Sequence, residues 1–128
     1  MSVVGLGTDI IEVNRITDMK EAMKERLARR VLTPCEFVRY DQASTNIANA
    51  FLAKRWAGKE AAAKALGTGI ADGVSFQHFI IDSLDNGKPI LKLSDRALTI
   101  AQSLGANHWH ISLADETHYA TATVILSQ

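Results

Sequence analysis

The chain has one cysteine, Cys35, in 128 residues. That excludes an internal disulfide, and no Cys/His spacing around it matches a zinc site. Such cysteine usage suits a reducing compartment. No apolar run approaches the ~20 residues that span a bilayer, and Met1 to Asp9 lacks both the basic flank and the apolar stretch of a signal peptide. The expectation is a cytoplasmic protein with no membrane contact. Repeats, low-complexity tracts and an interdomain linker are also missing, so a chain with 47% hydrophobic and 22% charged residues predicts one domain over residues 1–128. Net charge is absent: 14 Lys and Arg balance 14 Asp and Glu, unlike the basic balance of duplex nucleic-acid binders. The balance is uneven, however. Residues 15–66 hold eleven basic against six acidic side chains, and residues 67–128 hold three against six. The first half's positive excess suits an anionic ligand or an acidic partner. A domain this small also leaves apolar surface available for a subunit interface.

What is present divides into clear segments. Val3 to Val13, rich in Val, Leu and Ile with glycines at 5 and 7, predicts a buried strand that bends. Residues 14–31 place Ile16, Met19, Met23 and Leu27 at helical spacing among Arg15, Lys20, Lys24, Arg26, Arg29 and Arg30. This predicts a basic amphipathic helix or a pair of short helices. Thr33-Pro34-Cys35-Glu36 forms a capping box that opens a helix to about Asp41. A long helix is predicted from near Asn46 to Leu66, stopped by Gly67 as a left-handed cap. Phe76 to Leu84 predicts a strand, and Asp85-Asn86-Gly87 turns it into another at Pro89 to Leu93. Ser94 can cap a helix to Leu104, closed by Gly105. His108 to Leu113 and Tyr119 to Leu126 predict a second hairpin around Asp115-Glu116. The order β-α-α-β-β-α-β-β indicates an α+β fold with helices packed on a largely antiparallel sheet.

In the long helix Glu60 and Lys64 lie four apart on one face, with Lys54, Arg55 and Lys59 in the preceding turns. Magnesium takes one or two carboxylates plus phosphate oxygens, so Glu60 with a second carboxylate can hold the ion while Lys64 neutralises phosphate. Asp9, at a strand end after a glycine, is the candidate second ligand. Each feature also has a plainer reading. Glu60 and Lys64 could be a surface pair worth ~0.3–0.5 kcal/mol, and Asp9 a helix N-cap with Glu12 as its box partner. Gly67-Thr68-Gly69-Ile70 could admit a phosphate close to the backbone or simply cap the helix. Cys35 near a helix start could be a nucleophile, but no histidine stands in a recognisable relation to it, and lone cysteines usually serve as small packing residues. His110, alternating with Trp109, reads most economically as a sheet residue.

Read together, these segments resemble the holo-acyl-carrier-protein synthase family over nearly the whole chain. Three motifs carry the resemblance: Gly5-Leu-Gly-Thr-Asp9-Ile-Ile-Glu-Val-Asn-Arg15-Ile16, Arg55-Trp-Ala-Gly-Lys59-Glu60-Ala-Ala-Ala-Lys64-Ala-Leu-Gly67-Thr-Gly-Ile70, and His110-Ile-Ser112-Leu-Ala-Asp115-Glu116. Gly87-Lys88-Pro89 is a smaller agreement. The resemblance implies a 4'-phosphopantetheinyl transferase fold and transfer of the phosphopantetheine arm of coenzyme A to a serine of apo acyl carrier protein, leaving 3',5'-ADP, in fatty acid biosynthesis. It implies Mg2+ on Asp9 and Glu60, with Lys64 on the coenzyme A phosphates. Asp9, Glu60 and Lys64 are then the catalytic set. Arg55, Lys59, Lys64, Gly67, Thr68, Gly69, Lys88 and His110 are expected around coenzyme A, and Arg15, Met19 and Arg26 at the carrier protein. A homotrimer with active sites between subunits is also implied. The departures are Ser112-Leu113-Ala114-Asp115, where many members carry a histidine after the Ser-x-Ser/Thr stretch, and Trp56 and Gly58 in place of the more usual Phe and Ala. Gly58 is expected to make room for Trp56. The rival readings are a non-catalytic coenzyme A or nucleotide-binding module and a structural adaptor docking acidic partners.

Overall fold

The glycines of the first segment decide how closely strand and helix come together. In the computed structural model, which describes residues 2–128, strand β1 (Val3–Glu12) turns Gly5, Gly7, Asp9 and Ile11 towards helix α4 (Thr45–Leu66). A Cβ at Gly7 would fall on the carbonyl oxygen of Ala61 and stand 2.7 Å from the amide nitrogen of Ala65. Buried Ala57, Ala61 and Ala65 keep the facing helix surface equally low. This close approach lets Asp9 face the charged residues of α4. Gly7→Ala is therefore expected to destabilise the protein by about 1–3 kcal/mol, the usual range for forcing a methyl group into filled space. Urea denaturation would measure it, and a wild-type midpoint would contradict the packing described.

The order continues with α1 (Asn14–Thr17), α2 (Glu21–Val31), α3 (Pro34–Gln42), α4, β2 (Phe79–Ser83), β3 (Pro89–Leu93), α5 (Asp95–Ser103), β4 (His108–Asp115) and β5 (Tyr119–Ser127). Strands β1-β5-β4 form one antiparallel sheet, and β2-β3 form a separate hairpin. The α+β class and antiparallel pairing thus agree with the sequence reading. One buried cluster lies between α4, α5 and the strands, and a second between α1–α3 and α4. Trp56 and Ile70 pack against both.

Several local expectations change. Strand β1 is not buried on both faces: Leu6 is 64% and Ile10 61% exposed. The register sets Leu6 beside Ile125 and His110, Thr8 beside Thr123 and Ser112, and Ile10 beside Thr121 and Ala114. Helix α4 covers the other face, and these rows are bare. Asp9 lies inside β1 rather than capping a helix; α1 starts at Asn14 after Val13. Helix α2 buries Lys24, Ala28 and Val31 while Met23 points outward, so its apolar methionine edge faces away from the core. The strand expected from Phe76 begins at Phe79, because Ser75 Oγ accepts the Gln77 N–H at 3.1 Å and folds Phe76–His78 into a 3-10 turn. Ser94 stands at the start of α5 without a side-chain capping bond, its hydroxyl lying instead 3.4 Å from the His78 carbonyl. A Cβ at Gly58 would meet Ile81, Leu113 and Ile111 rather than Trp56, so contact with β2 and β4 accounts for the glycine.

Candidate active site

The convergence of the first two motifs is physical. Lys64 extends from α4 across to β1, with Nζ 2.8 Å from Asp9 Oδ1 and 3.1 Å from the Thr8 carbonyl. Its partner is therefore Asp9, on a different element, and the simple Glu60–Lys64 surface pair is set aside. Glu60 stands one turn before Lys64. Partial burial, and next the negative charge of Asp9, raise its pKa, while the charge of Lys64, the neighbouring Trp56 side chain and the charge of Arg30 pull it down. Carboxylates from β1 and α4 are thus near enough for the charge of Asp9 to act on Glu60, with Lys64 bonded to Asp9 as local compensation. A seat of two carboxylates suits magnesium, which completes its shell with water and phosphate oxygens. Among the described residues no group of three or more His, Cys, Asp or Glu side chains gathers, so the donor set fits a cation shared with a ligand rather than a cage made wholly of protein.

Arg30 was not singled out from the sequence. It sits at the end of α2, held there by the Gln77 amide, which donates to the carbonyls of Arg29, Arg30 and Leu32 at 3.3, 3.1 and 2.8 Å. Its guanidinium also lies 5.4 Å from the centre of the Phe76 ring. In sequence it was one of several arginines on a basic helix, and only the fold brings its charge to bear on Glu60.

Lys59, expected around the ligand, is a correction. It is completely buried, and its ammonium donates to Glu36 Oε1 at 2.6 Å and to the Val31 carbonyl at 2.7 Å. Glu36 also accepts from the Thr33 N–H at 2.7 Å and the Ile81 N–H at 2.8 Å. The capping-box glutamate thus ties α3, α4 and β2 together. Burial lowers the Lys59 pKa, and the charge of Glu36 opposes that. No surface of Lys59 is left for a ligand.

The other expected ligand residues are spread over the molecule. Arg55 and Glu60, five residues apart, diverge by about 140° around the helix. The Arg55 guanidinium stacks 4.4 Å from the Phe51 ring centre and bonds Ser83 Oγ at 3.3 Å. With Arg39, Lys54 and the turn after β2 it lines a basic cavity of about 430 Å³. Lys88 belongs to the same turn, where Gly87 takes φ 88° and Asn86 Oδ1 accepts the Lys88 N–H at 3.0 Å. Lys54 is paired with Asp115 at 3.3 Å, which gives the departing residue of the third motif a partner. Gly67 does cap α4, at φ 82°, and the N–H groups of Gly67 and Gly69 bond the carbonyls of Lys64 and Ala63. The Thr68 hydroxyl donates to the Gly69 carbonyl at 2.8 Å. His110 is on the bare sheet face, opposite Asp9, with Nε2 3.2 Å from Ser127 Oγ. Cys35 is an exposed thiol rather than a core residue.

Arg15, Met19 and Met23 share a shallow hollow of about 470 Å³ with Glu12, Asp18 and Lys20. Arg26 is exposed on α2 but does not border it.

The family model described as the 4'-phosphopantetheinyl transferase superfamily matches residues 5–124. The chain belongs to that superfamily. Its full-length relatives place it in the holo-[acyl-carrier-protein] synthase family. The holo-[acyl-carrier-protein] synthase of Shewanella frigidimarina is 54% identical over 126 residues, 98% of each chain. The crystal structure of the holo-[acyl-carrier-protein] synthase from Neisseria meningitidis matches with a TM-score of 0.86 at 35% identity, covering 99% of this chain and 100% of that one. The synthase from Bacillus anthracis, solved in complex with CoA (3',5'-ADP), matches at 0.80 and 36% identity over 97% and 96% of the two chains.

Proposed function

We propose that this chain transfers 4'-phosphopantetheine from coenzyme A to a serine of apo acyl carrier protein, giving holo carrier protein and 3',5'-ADP, as a magnesium-dependent cytoplasmic enzyme of fatty acid biosynthesis. The observation that carries the reading is the Lys64 ammonium anchored on Asp9 beside Glu60, within a family whose members are named for this reaction. Asp9 and Glu60 would hold the metal. A bound magnesium ion supplies Lewis-acid polarisation of the diphosphate and orients it. The Lys64 side chain is 53% exposed and so open to a phosphate oxygen, where its charge stabilises the negative charge that grows as the serine oxygen attacks phosphorus and the bond to 3',5'-ADP breaks. Arg15 and Met19, with Met23, offer one cation and two flexible apolar side chains to an acidic, amphipathic partner helix; Arg26 adds charge further along α2.

The chain acts as a homotrimer in this reading. The bare sheet face, where exposed Leu6 and Ile10 and half-buried Ile125 stand among threonines, Ser112 and His110, supports burial against other copies, because large apolar side chains left bare on an uncovered sheet face gain by being taken out of water. The scattering of Arg55, Lys88, the Gly67–Gly69 loop and His110 supports sites completed by a neighbour. Light scattering should return about three times the 14.0 kDa chain; a monomer mass would remove this part of the proposal. The reaction itself is tested by intact-mass analysis of apo carrier protein incubated with the enzyme, coenzyme A and magnesium. A gain of one phosphopantetheine, lost on chelation, is expected. Coenzyme A binding without any gain in mass would leave the binding-module reading instead.

A further inference from the structure

Helix α2 ends without a left-handed cap, and side chains from elsewhere take over that role. Its C-cap residue Leu32 is extended, at φ −90° and ψ 138°, and α3 begins two residues later. The amides of this short connection are already spent. The Leu32 N–H bonds the Ala28 carbonyl at 2.8 Å, the Thr33 N–H bonds Glu36, and Pro34 has none. The carbonyls of Arg29, Arg30, Val31 and Leu32 therefore need donors from outside the helix. Lys59 supplies one, to Val31. Gln77 supplies the rest: its amide nitrogen, with two hydrogens, serves Arg29, Arg30 and Leu32. The same turn shapes what α2 presents. The Arg30 guanidinium carbon lies 5.4 Å from the ring centre of Phe76, beside Gln77, and that of Arg29 lies 4.3 Å from the ring centre of Phe37 on α3. Both arginines are exposed, and with Leu32, Phe37 and Gln77 they border a cavity of about 540 Å³. Two cations seated on aromatic rings beside an apolar hollow complement an acidic, amphipathic partner.

We propose that Gln77 is a positioning residue for carrier-protein docking: by capping α2 from a separate turn, it holds Arg29 and Arg30 ready for the acidic partner. The inference rests on the reading of α2 as the docking helix. Without the cap the last turn frays, and the partner must order it on binding, which weakens affinity without changing the bound arrangement. Gln77 is exposed, so water reaches the freed carbonyls and the fold survives its loss.

The test measures steady-state transfer with apo acyl carrier protein and coenzyme A varied in turn, beside thermal melting. Gln77→Met keeps length and charge and removes the donor. It should raise KM for the carrier protein about two- to fivefold, the factor of one hydrogen bond open to water, with kcat and KM for coenzyme A unchanged. Arg29→Ala should also raise KM for the carrier protein. Combined with Gln77→Met it should raise KM by less than the product of the two, as expected for groups acting through one contact; a full product would make them independent and overturn the proposal. A lower melting temperature with KM for the carrier protein unchanged would make Gln77 purely structural, which also overturns it. Arg26→Ala separates the positioning role from the docking reading. If Arg26→Ala and Arg29→Ala raise KM while Gln77→Met does not, the positioning role falls and docking by α2 stands. If all three variants keep the wild-type KM, both fall together.

Discussion

Glu60→Gln is expected to slow phosphopantetheine transfer by on the order of 10²–10³-fold, the cost of losing one preorganised electrostatic group, without loss of the fold. The stability side has a definite sign. Burial and the charge of Asp9 raise the Glu60 pKa above its ordinary value of 4.5, so the folded chain holds this proton more firmly than the unfolded chain. The stability this confers is fully present below the ordinary value and is lost as pH rises through the raised one. At neutral pH the ionised carboxylate is a burden on the metal-free fold. The glutamine variant should therefore melt no lower than the wild type without metal, and higher if the repulsion dominates. Magnesium with coenzyme A should raise the wild-type melting temperature by mass action and leave the variant nearly unmoved. Thermal melts alongside the mass assay check both halves. A variant that transfers at the normal rate would remove Glu60 from the site, and one that unfolds would make it structural.

Lys59→Ala should be the most damaging single change to stability, costing about 3–5 kcal/mol, the range for removing one partner of a buried ion pair. The pair is solvent-free on both sides, with side chains 0% and 4% exposed and 2.6 Å between Nζ and Oε1. Removing the ammonium leaves Glu36 charged in the core with two backbone N–H donors, from Thr33 and Ile81, and leaves the Val31 carbonyl without the lysine. Replacing both partners, as Glu36→Gln with Lys59→Met, should recover most of the loss, since the penalty lies in the unpaired charge. Denaturant titrations of the single and double variants would settle it; a loss below about 1 kcal/mol in Lys59→Ala would contradict the pairing.

These two residues, adjacent in the chain, show what could and could not be read before the fold was known. The helix, its Gly67 cap and the Thr33–Glu36 box were legible because caps and periodicity are local. The Asp9–Glu60–Lys64 group was legible as charge chemistry, since an acid between two lysines invites a cation. That Lys59 points inward and Lys64 outward was not legible: five residues of helical phase separate them, and the buried side is chosen by Glu36, which reaches Lys59 from another helix. The bare face of β1 was hidden for a related reason. Its exposed face mixes Leu6 and Ile10 with Thr8 and Glu12, and the covered face carries two glycines and Asp9 beside Ile11, so polarity does not separate the two faces at a period of two. Arg30 acquires its meaning only where α2 folds against α4.

The central claim is that one divalent ion is shared by side chains from β1 and α4. The most direct measurement is the anomalous scattering of a crystal grown with manganese(II) and coenzyme A. A single peak within coordination distance of Asp9, Glu60 and a diphosphate oxygen is the expected result. A peak elsewhere, or carboxylates of Asp9 and Glu60 turned away from a common point, would contradict the account.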